Sequence, residues 1–176
     1  MFIGLVLAGV IGFIIGNRAI GKCYDFEFNT IIKQNGIVEE CYETGIVSRV
    51  IDGDTIELSN GSNIRYIGIN TPEINHPEKG LECFGPEATT RNREFVEGKN
   101  IVLLKGIEDK DQYGRYLRYV FIDDIFVNSQ LVAEGYAYAS SYGPERKFQQ
   151  VLVQLQQYAA MKQRGLWAVP WGEEIK

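Results

Sequence analysis

The chain is 176 residues long, with 45% hydrophobic and 23% charged residues. That length and composition fit one globular domain with a real core plus a short appendage, and exclude a disordered chain. A formal charge of -5 and a pI near 5.0 exclude a protein that coats nucleic acid by bulk electrostatics, so any chemistry on a polyanion must come from a local site. Cys23, Cys41 and Cys83 have neither the spacing of a metal finger nor an even number for a full disulfide set.

Residues 2–16 carry no charge, and Asn17, Arg18 and Lys22 follow closely. The run falls short of the roughly 20 residues that span a bilayer, unless Ala19 and Ile20 extend it while Arg18 snorkels. Residues 1–21 therefore read as a hydrophobic membrane anchor, with a cleaved signal segment and a buried helix as the alternatives. Arg18 and Lys22 place the domain on the cytoplasmic side by the positive-inside rule. Residues 22–43 read as a linker or stalk, 44–170 as the domain, and 171–176 as a tail.

From Thr44 the pattern is short strands, a helix, more strands and two closing helices. "GIVSRVID" and "DTIELSN" are β-rich, and Asn60-Gly61 signals a hairpin. "SNIRYIGI" returns antiparallel, with Ile64, Tyr66 and Gly68 on one face and Arg65, Ile67 and Ile69 on the other. Ala88, Arg91, Phe95 and Val96 share a helical period over Pro86–Glu97, ended by Gly98. "NIVLLKG" and "RYLRYVFI" add two strands. "VNSQLVAEG" reads as a short helix closed by Gly135. A longer helix spans Pro144–Gln163, with Phe148, Val151, Leu152, Leu155 and Tyr158 as its apolar stripe. The fold class is α+β: a five-stranded OB-type β-barrel with packed helices, preceded by the hydrophobic N-terminal helix.

Within this frame the polar residues suggest one chemistry. Asp54 in the Asp-Gly-Asp-Thr turn offers hard oxygen to a calcium-like ion. Glu73, after a Thr-Pro turn, suits a general base, and the guanidinium groups of Arg65 and Arg115 match pairs of phosphate oxygens. Each feature alone has a plainer explanation: Asp and Gly favour turns for backbone reasons, and an arginine on a strand is commonly a solvated residue. His76, the single histidine, has no partner for a triad or metal cage and reads as an exposed loop residue.

The segments "VIDGDTIEL", "IRYIGINTPE", "HPEKGLECFGPEA" and "DQYGRYLRYVF" occur in this order, and together the stretch from about Val47 to Trp167 resembles the staphylococcal nuclease (thermonuclease) family. That resemblance implies a calcium-dependent phosphodiesterase acting on DNA and RNA and leaving a 3′-phosphate. It implies that Asp54, Asn70 and the Thr71 carbonyl hold Ca2+, with Asp52 just outside. Glu73 would act on the water, Arg65 and Arg115 would bind the phosphate, and Gln112, Tyr113 and Tyr142 would contact substrate. Two departures stand out: Asn70 occupies a position where the family pattern has aspartate, and Gln112 one where lysine is familiar. Asn keeps a carbonyl oxygen of similar reach without the charge, so weaker metal binding is expected. Family habit also favours an extracytoplasmic or secreted domain, against the positive-inside vote, and a monomer. The rival reading is a catalytically weak or silent nucleic-acid-binding or interaction module at the membrane. Cys83 and Cys41 are a further candidate pair.

Overall fold

The structure is a computed structural model describing residues 23–24, 40–75, 78, 80–141 and 143–168. The expected hydrophobic segment 1–21, most of 22–43, His76 and the tail 171–176 lie outside the described residues. Among those described, no helix is long and apolar enough to cross a membrane.

Among the described residues, nine strands form in chain order: β1 (Cys23–Tyr24), β2 (Glu40–Val50), β3 (Thr55–Leu58), β4 (Asn63–Tyr66), β5 (Ile69–Asn70), β6 (Asn100–Lys110), β7 (Tyr116–Ile122), β8 (Ile125–Phe126) and β9 (Tyr138–Ala139). Three described helices accompany them: α1 (Gly85–Val96), α2 (Val127–Ala133) and α3 (Gln149–Met161). The sheet runs β2-β3-β4-β7-β6 and closes on itself because β2 also pairs with β6. The result is the five-stranded barrel that the sequence suggests, with an α+β arrangement of helices around it. All barrel pairings are antiparallel except β4 with β7.

β2 makes closure possible. Its first half pairs with β6 from Tyr42↔Leu104 to Ile46↔Asn100, and its second half pairs with β3 from Val47↔Leu58 to Val50↔Ile56. A register shift between Val47 and Arg49 marks where the strand bends from one partner to the other. The strand begins at Glu40, inside the segment read as linker, where Glu40 and Cys41 pair with β1 before β6 takes over at Tyr42. β1 lies antiparallel to its start, with Cys23 opposite Cys41. Cys83 is instead an exposed free thiol, so the candidate Cys41–Cys83 pairing does not form.

The core is filled by β-branched and leucine side chains from the inward strand faces: Val47, Ile56, Ile64, Ile101, Leu103 and Val120 are fully buried. Outside the barrel, Tyr119, Phe126 and Phe148 pack edge-on or tilted, with Tyr119 and Phe148 at 4.7 Å. Buried Asn128 stitches α2 to the barrel, accepting the Val120 N–H at 3.0 Å and donating to the Ile67 carbonyl at 2.8 Å. This leaves no orphan polar group in that seam.

Local signals hold at the turns. Asn60-Gly61 sits in the β3–β4 connection, where Gly61 has φ +82° and the Ser62 N–H donates to the Asn60 side chain. α1 begins one residue before Pro86, and Gly98 with positive φ follows its end. Three details differ from the sequence reading. The two faces over 64–69 do not differ in burial: Ile64, Arg65, Tyr66, Ile67 and Ile69 are all buried, Arg65 by its contacts with Asp54, Asn70 and the Tyr66 and Ile69 carbonyls. The last helix starts at Gln149 and not Pro144, since the Glu145 carboxylate accepts the backbone N–H groups of Arg146 and Lys147 ahead of the helix. Tyr158 is exposed rather than part of the apolar stripe.

Arg91, placed on the apolar stripe of α1 by spacing, instead joins α1 to the end of α2. Its guanidinium meets Glu134 through Nε at 2.6 Å and Nη2 at 2.9 Å, and stacks over Phe95 at 4.1 Å. Partial burial alone would raise the Glu134 carboxyl, but the Arg91 hydrogen bonds outweigh it and hold the carboxyl below the ordinary 4.5. A lowered carboxyl contributes stability above its unfolded pKa and loses it as pH falls through the folded one. Glu134→Gln should cost about 1 kcal/mol at pH 7, ~3 °C in melting temperature, because the pair is partly solvated. Thermal melts of both proteins should converge as pH drops below 4.5; a gap that persists at pH 3 would show that the pair is not its source.

Candidate functional site

The site is built on the short loops at one end of the barrel. β2 ends at Val50, and the chain must reverse into β3 within a few residues. Asp52 drives that reversal: its Oδ1 accepts the Asp54 N–H at 3.0 Å, an Asx turn. Gly53 is required for packing, since a Cβ there would lie 2.6–2.8 Å from the Thr71 side chain. The turn is held from α1 by buried Asn92, which donates to the Asp52 carbonyl at 3.1 Å and accepts the Tyr66 hydroxyl at 2.9 Å.

That geometry delivers Asp54 into the barrel wall, where it is 2% exposed. Asp54 Oδ2 meets Arg65 Nη1 at 2.9 Å and accepts the Thr71 N–H at 2.8 Å, while Oδ1 accepts the Thr55 hydroxyl at 3.2 Å. Burial pushes the Asp54 carboxyl up, with Asp52 and Glu73 adding repulsion, while Arg65 pulls it down. Arg65, on β4 opposite Thr55, is only 9% exposed. It donates to the carbonyls of Tyr66 (3.0 Å) and Ile69 (3.1 Å) and, through Nη2, to Asn70 Oδ1 at 2.9 Å. The sequence reading gave Arg65 to an incoming phosphate, yet much of its fork is engaged by the protein.

Glu73 follows the Thr71-Pro72 segment. Its backbone is clamped on both sides by Glu82: the Glu73 N–H donates to the Glu82 carboxylate at 2.9 Å and the Glu73 carbonyl accepts the Glu82 N–H at 2.9 Å. The side chain is half-buried, and burial first, then repulsion from Asp52, raises its pKa against the pull of Arg65 and Arg115. Arg115 comes from the β6–β7 turn, which Asp111 organises. Asp111 Oδ1 accepts the N–H groups of Tyr113 and Arg115, and Oδ2 takes Arg115 Nε at 2.7 Å. Burial raises the Asp111 carboxyl, but the Arg115 hydrogen bonds prevail and lower it.

A groove of about 650 Å³ gathers these groups: Arg65, Asn70, Glu73, Gln112, Tyr113 and Arg115 all line it. Asp54 and Thr71 sit behind it as the support of Arg65, and Asp52 lies beside them. Tyr142 lies outside the described residues. Two functional supports escaped the sequence reading. Asp111 had a signal, since an Asp three residues before a Gly favours this turn; Glu82 had none, because its partner is reached only through the fold.

Among the described residues, no three His, Cys, Asp or Glu side chains gather to hold a metal. The implied set is of another kind: one carboxylate from Asp54, the Asn70 amide oxygen and a backbone carbonyl at Thr71. These are all hard oxygens, and Asp52 and Glu73 repel Asp54 while Arg65 supplies the positive charge among them. Hard oxygens of this kind suit a divalent ion, which would take Asp54 and Asn70 in competition with Arg65, the partner both side chains hold here.

A closed mixed barrel with Glu73, Arg65 and Arg115 lining one surface groove defines the class as an OB-type barrel. The family model for staphylococcal nuclease homologues matches residues 63–169, and the chain belongs to that family. It is 35% identical over 128 residues to the thermonuclease of Staphylococcus intermedius, covering 71% of this chain and 76% of that protein. It is 33% identical over 139 residues to the thermonuclease of Staphylococcus hyicus, covering 77% and 82%. It is 34% identical over 128 residues to the SPbeta prophage-derived endonuclease YokF of Bacillus subtilis (strain 168), covering 69% of this chain and 43% of that protein.

The Asp54–Arg65 pair generates a stability test. Removing one partner of a buried pair leaves an uncompensated charge, so Asp54→Ala should cost about 3 kcal/mol in the presence of chelator. Adding Arg65→Met to it should recover part of that loss. Denaturant titrations of the two single variants and the double variant form the cycle; strictly additive effects would show that the pair carries no coupling.

Proposed function

We propose that the protein is a calcium-dependent nuclease that hydrolyses phosphodiesters of DNA and RNA. One observation carries this reading: Glu73 shares a single groove with Arg65 and Arg115, in a chain of the staphylococcal nuclease homologue family. Relatives named as thermonucleases and as an endonuclease support it.

The chemistry needs a base for water and fixed positive charge for the phosphate. Glu73 takes the proton of the attacking water; its raised pKa makes it a better base than an ordinary glutamate while leaving it ionised well above that value. Its backbone clamp to Glu82 holds it in place without using its own carboxylate. Arg115 binds the phosphate oxygens, with Asp111 holding Nε so that the guanidinium is oriented before substrate arrives. Arg65 contributes its charge from a fixed position, since Asp54, Asn70 and two carbonyls lock it. The oxygen of water bonds to phosphorus as the P–O5′ bond breaks, leaving a 3′-phosphate and a 5′-hydroxyl. Asp54, Asn70 and the Thr71 carbonyl would hold calcium, which when bound supplies positive charge beside the phosphate. The full chain incubated with labelled DNA and RNA, in calcium or in chelator, tests the proposal: cleavage that depends on calcium is expected, and none on either polymer would overturn it.

Two substitutions probe the roles. Glu73→Gln and Arg115→Ala should each lower turnover by at least ~10²-fold with an unchanged circular dichroism spectrum; wild-type-like rates in either would remove that residue from the mechanism. A third probes the metal. Asn70→Asp adds a charge and a second oxygen where Asn70 Oδ1 now accepts from Arg65 Nη2; with one oxygen kept on Arg65 and the other turned to the ion, it should lower the calcium concentration for half-maximal cleavage, with a smaller effect at saturation. A calcium titration of both proteins decides it, and an unmoved midpoint would mean that Asn70 does not contact the ion.

A further inference from the structure

The chain's three cysteines are placed unequally by the fold. Cys83 is an exposed free thiol in the segment ahead of α1. Cys23 and Cys41 are Cα partners, directly opposite each other in the antiparallel pairing of β1 with β2. Opposed positions of an antiparallel ladder project from one face, with Cα atoms about 4.5 or 5.5 Å apart according to the rung. Both spacings lie inside the range of about 4.4–6.8 Å that a disulfide bridges without moving the backbone. β1 consists of Cys23 and Tyr24 alone, so one of its two rungs is this cysteine pair. Two rungs supply little stability by themselves.

The place of the pair in the barrel gives it a role. Immediately after Cys41, Tyr42 pairs with Leu104, the first rung of the β2–β6 seam that closes the barrel. Glu43 then reaches Arg118 Nη2 on β7 at 3.0 Å, and the same nitrogen meets Asp109 on β6 at 2.9 Å. Charge therefore gathers three strands at this end of the seam. The Glu43 and Asp109 side chains are 58% and 45% exposed, so water weakens that tie.

We propose that Cys23 and Cys41 form a disulfide that staples the segment ahead of the domain to β2, at the mouth of the seam that closes the barrel. The bond forms by exchange with a disulfide donor, either a low-molecular-weight disulfide or the active-site disulfide of an oxidoreductase. The thiolate of one cysteine attacks a donor sulfur and displaces the other; the second cysteine's thiolate then attacks the mixed disulfide and displaces the remaining donor sulfur. The cysteine pair gives up two electrons and two protons, and the donor becomes two thiols. Residues 24–40 are thereby enclosed in a loop, which removes conformational freedom from the unfolded chain. Such a bond persists in an oxidising compartment and is lost in a reducing one. The staple uses no residue of the groove and does not rest on the nuclease reading.

The test uses the full chain, oxidised in its folded state with oxidised glutathione and then alkylated. Peptide mapping by mass spectrometry should find Cys83 alkylated and Cys23 linked to Cys41. Cys83→Ser keeps the pair and removes the competing thiol; in it, a reductant should lower the melting temperature by about 5–10 °C. Cys23→Ser or Cys41→Ser, added to Cys83→Ser, should melt at the temperature of the reduced protein and ignore the reductant. Three alkylated cysteines after oxidation, a dominant link to Cys83, or a melting temperature of Cys83→Ser indifferent to reductant would overturn the staple. None of these readouts involves cleavage, so the staple and the nuclease reading stand or fall separately.

Discussion

The Asp54–Arg65 contact is the constraint to which the loops of this barrel are fitted. Two opposite charges taken out of water are costly, and their attraction compensates only when the remaining donors and acceptors also find partners. Here each does so by drawing in a different piece of chain. Asp54 takes the Thr71 N–H, and Arg65 reaches the carbonyls of Tyr66 and Ile69 and the side chain of Asn70. The turn before β3, the end of β4, β5 and the start of the Glu73 segment are thereby placed relative to one guanidinium. The surface groove inherits its shape from an interaction mostly hidden from it.

Around this pair, support comes from amides more than from charges. Asn92 carries the position of α1 to the Asp52 carbonyl, and Asn128 carries that of α2 to Ile67. An asparagine satisfies a donor and an acceptor at once without the desolvation cost of an ion, so it suits seams where two backbone segments meet in the dry interior. Two charged pairs sit where water reaches, Glu134 with Arg91 and Asp111 with Arg115. The candidate base and the half-buried Arg115 therefore stand on supports of different kinds, one a backbone clamp and the other a side-chain fork.

Features with local causes were legible in the sequence. The Asn60-Gly61 turn, the helix after Pro86 and the strand-rich runs follow from backbone preferences within a few residues. The grouping of Arg65, Glu73 and Arg115 was legible only through family resemblance, since no spacing rule brings residues 65, 73 and 115 together. What could not be read depended on distant partners. A strand arginine reads as solvated when only its own segment is considered, but Asp54, Asn70 and two carbonyls enclose Arg65 and bury it. Pro144 looked like a helix start because its neighbours carry a helical stripe, yet Glu145 is drawn away to the Ile107 N–H across the groove. Glu82 gave no sign of its role because nothing in its own segment needs it.

The acid beside each groove arginine has a consequence for how a polyanion would be held. Affinity for nucleic acid normally grows by displacing condensed counterions, one set for each phosphate neutralised, and falls steeply with added salt as a result. This chain carries a net charge of -5, and among the described residues Arg118 is buried against Glu43 and Asp109 while Lys110 sits over Tyr116 at 4.1 Å. Were about two phosphates met by Arg65 and Arg115, a rise from 50 to 200 mM salt would weaken association by about tenfold rather than by the thousands seen with extensive contacts. Such a surface would not slide along a strand held by a general positive field; each encounter would be a separate event, decided at the groove.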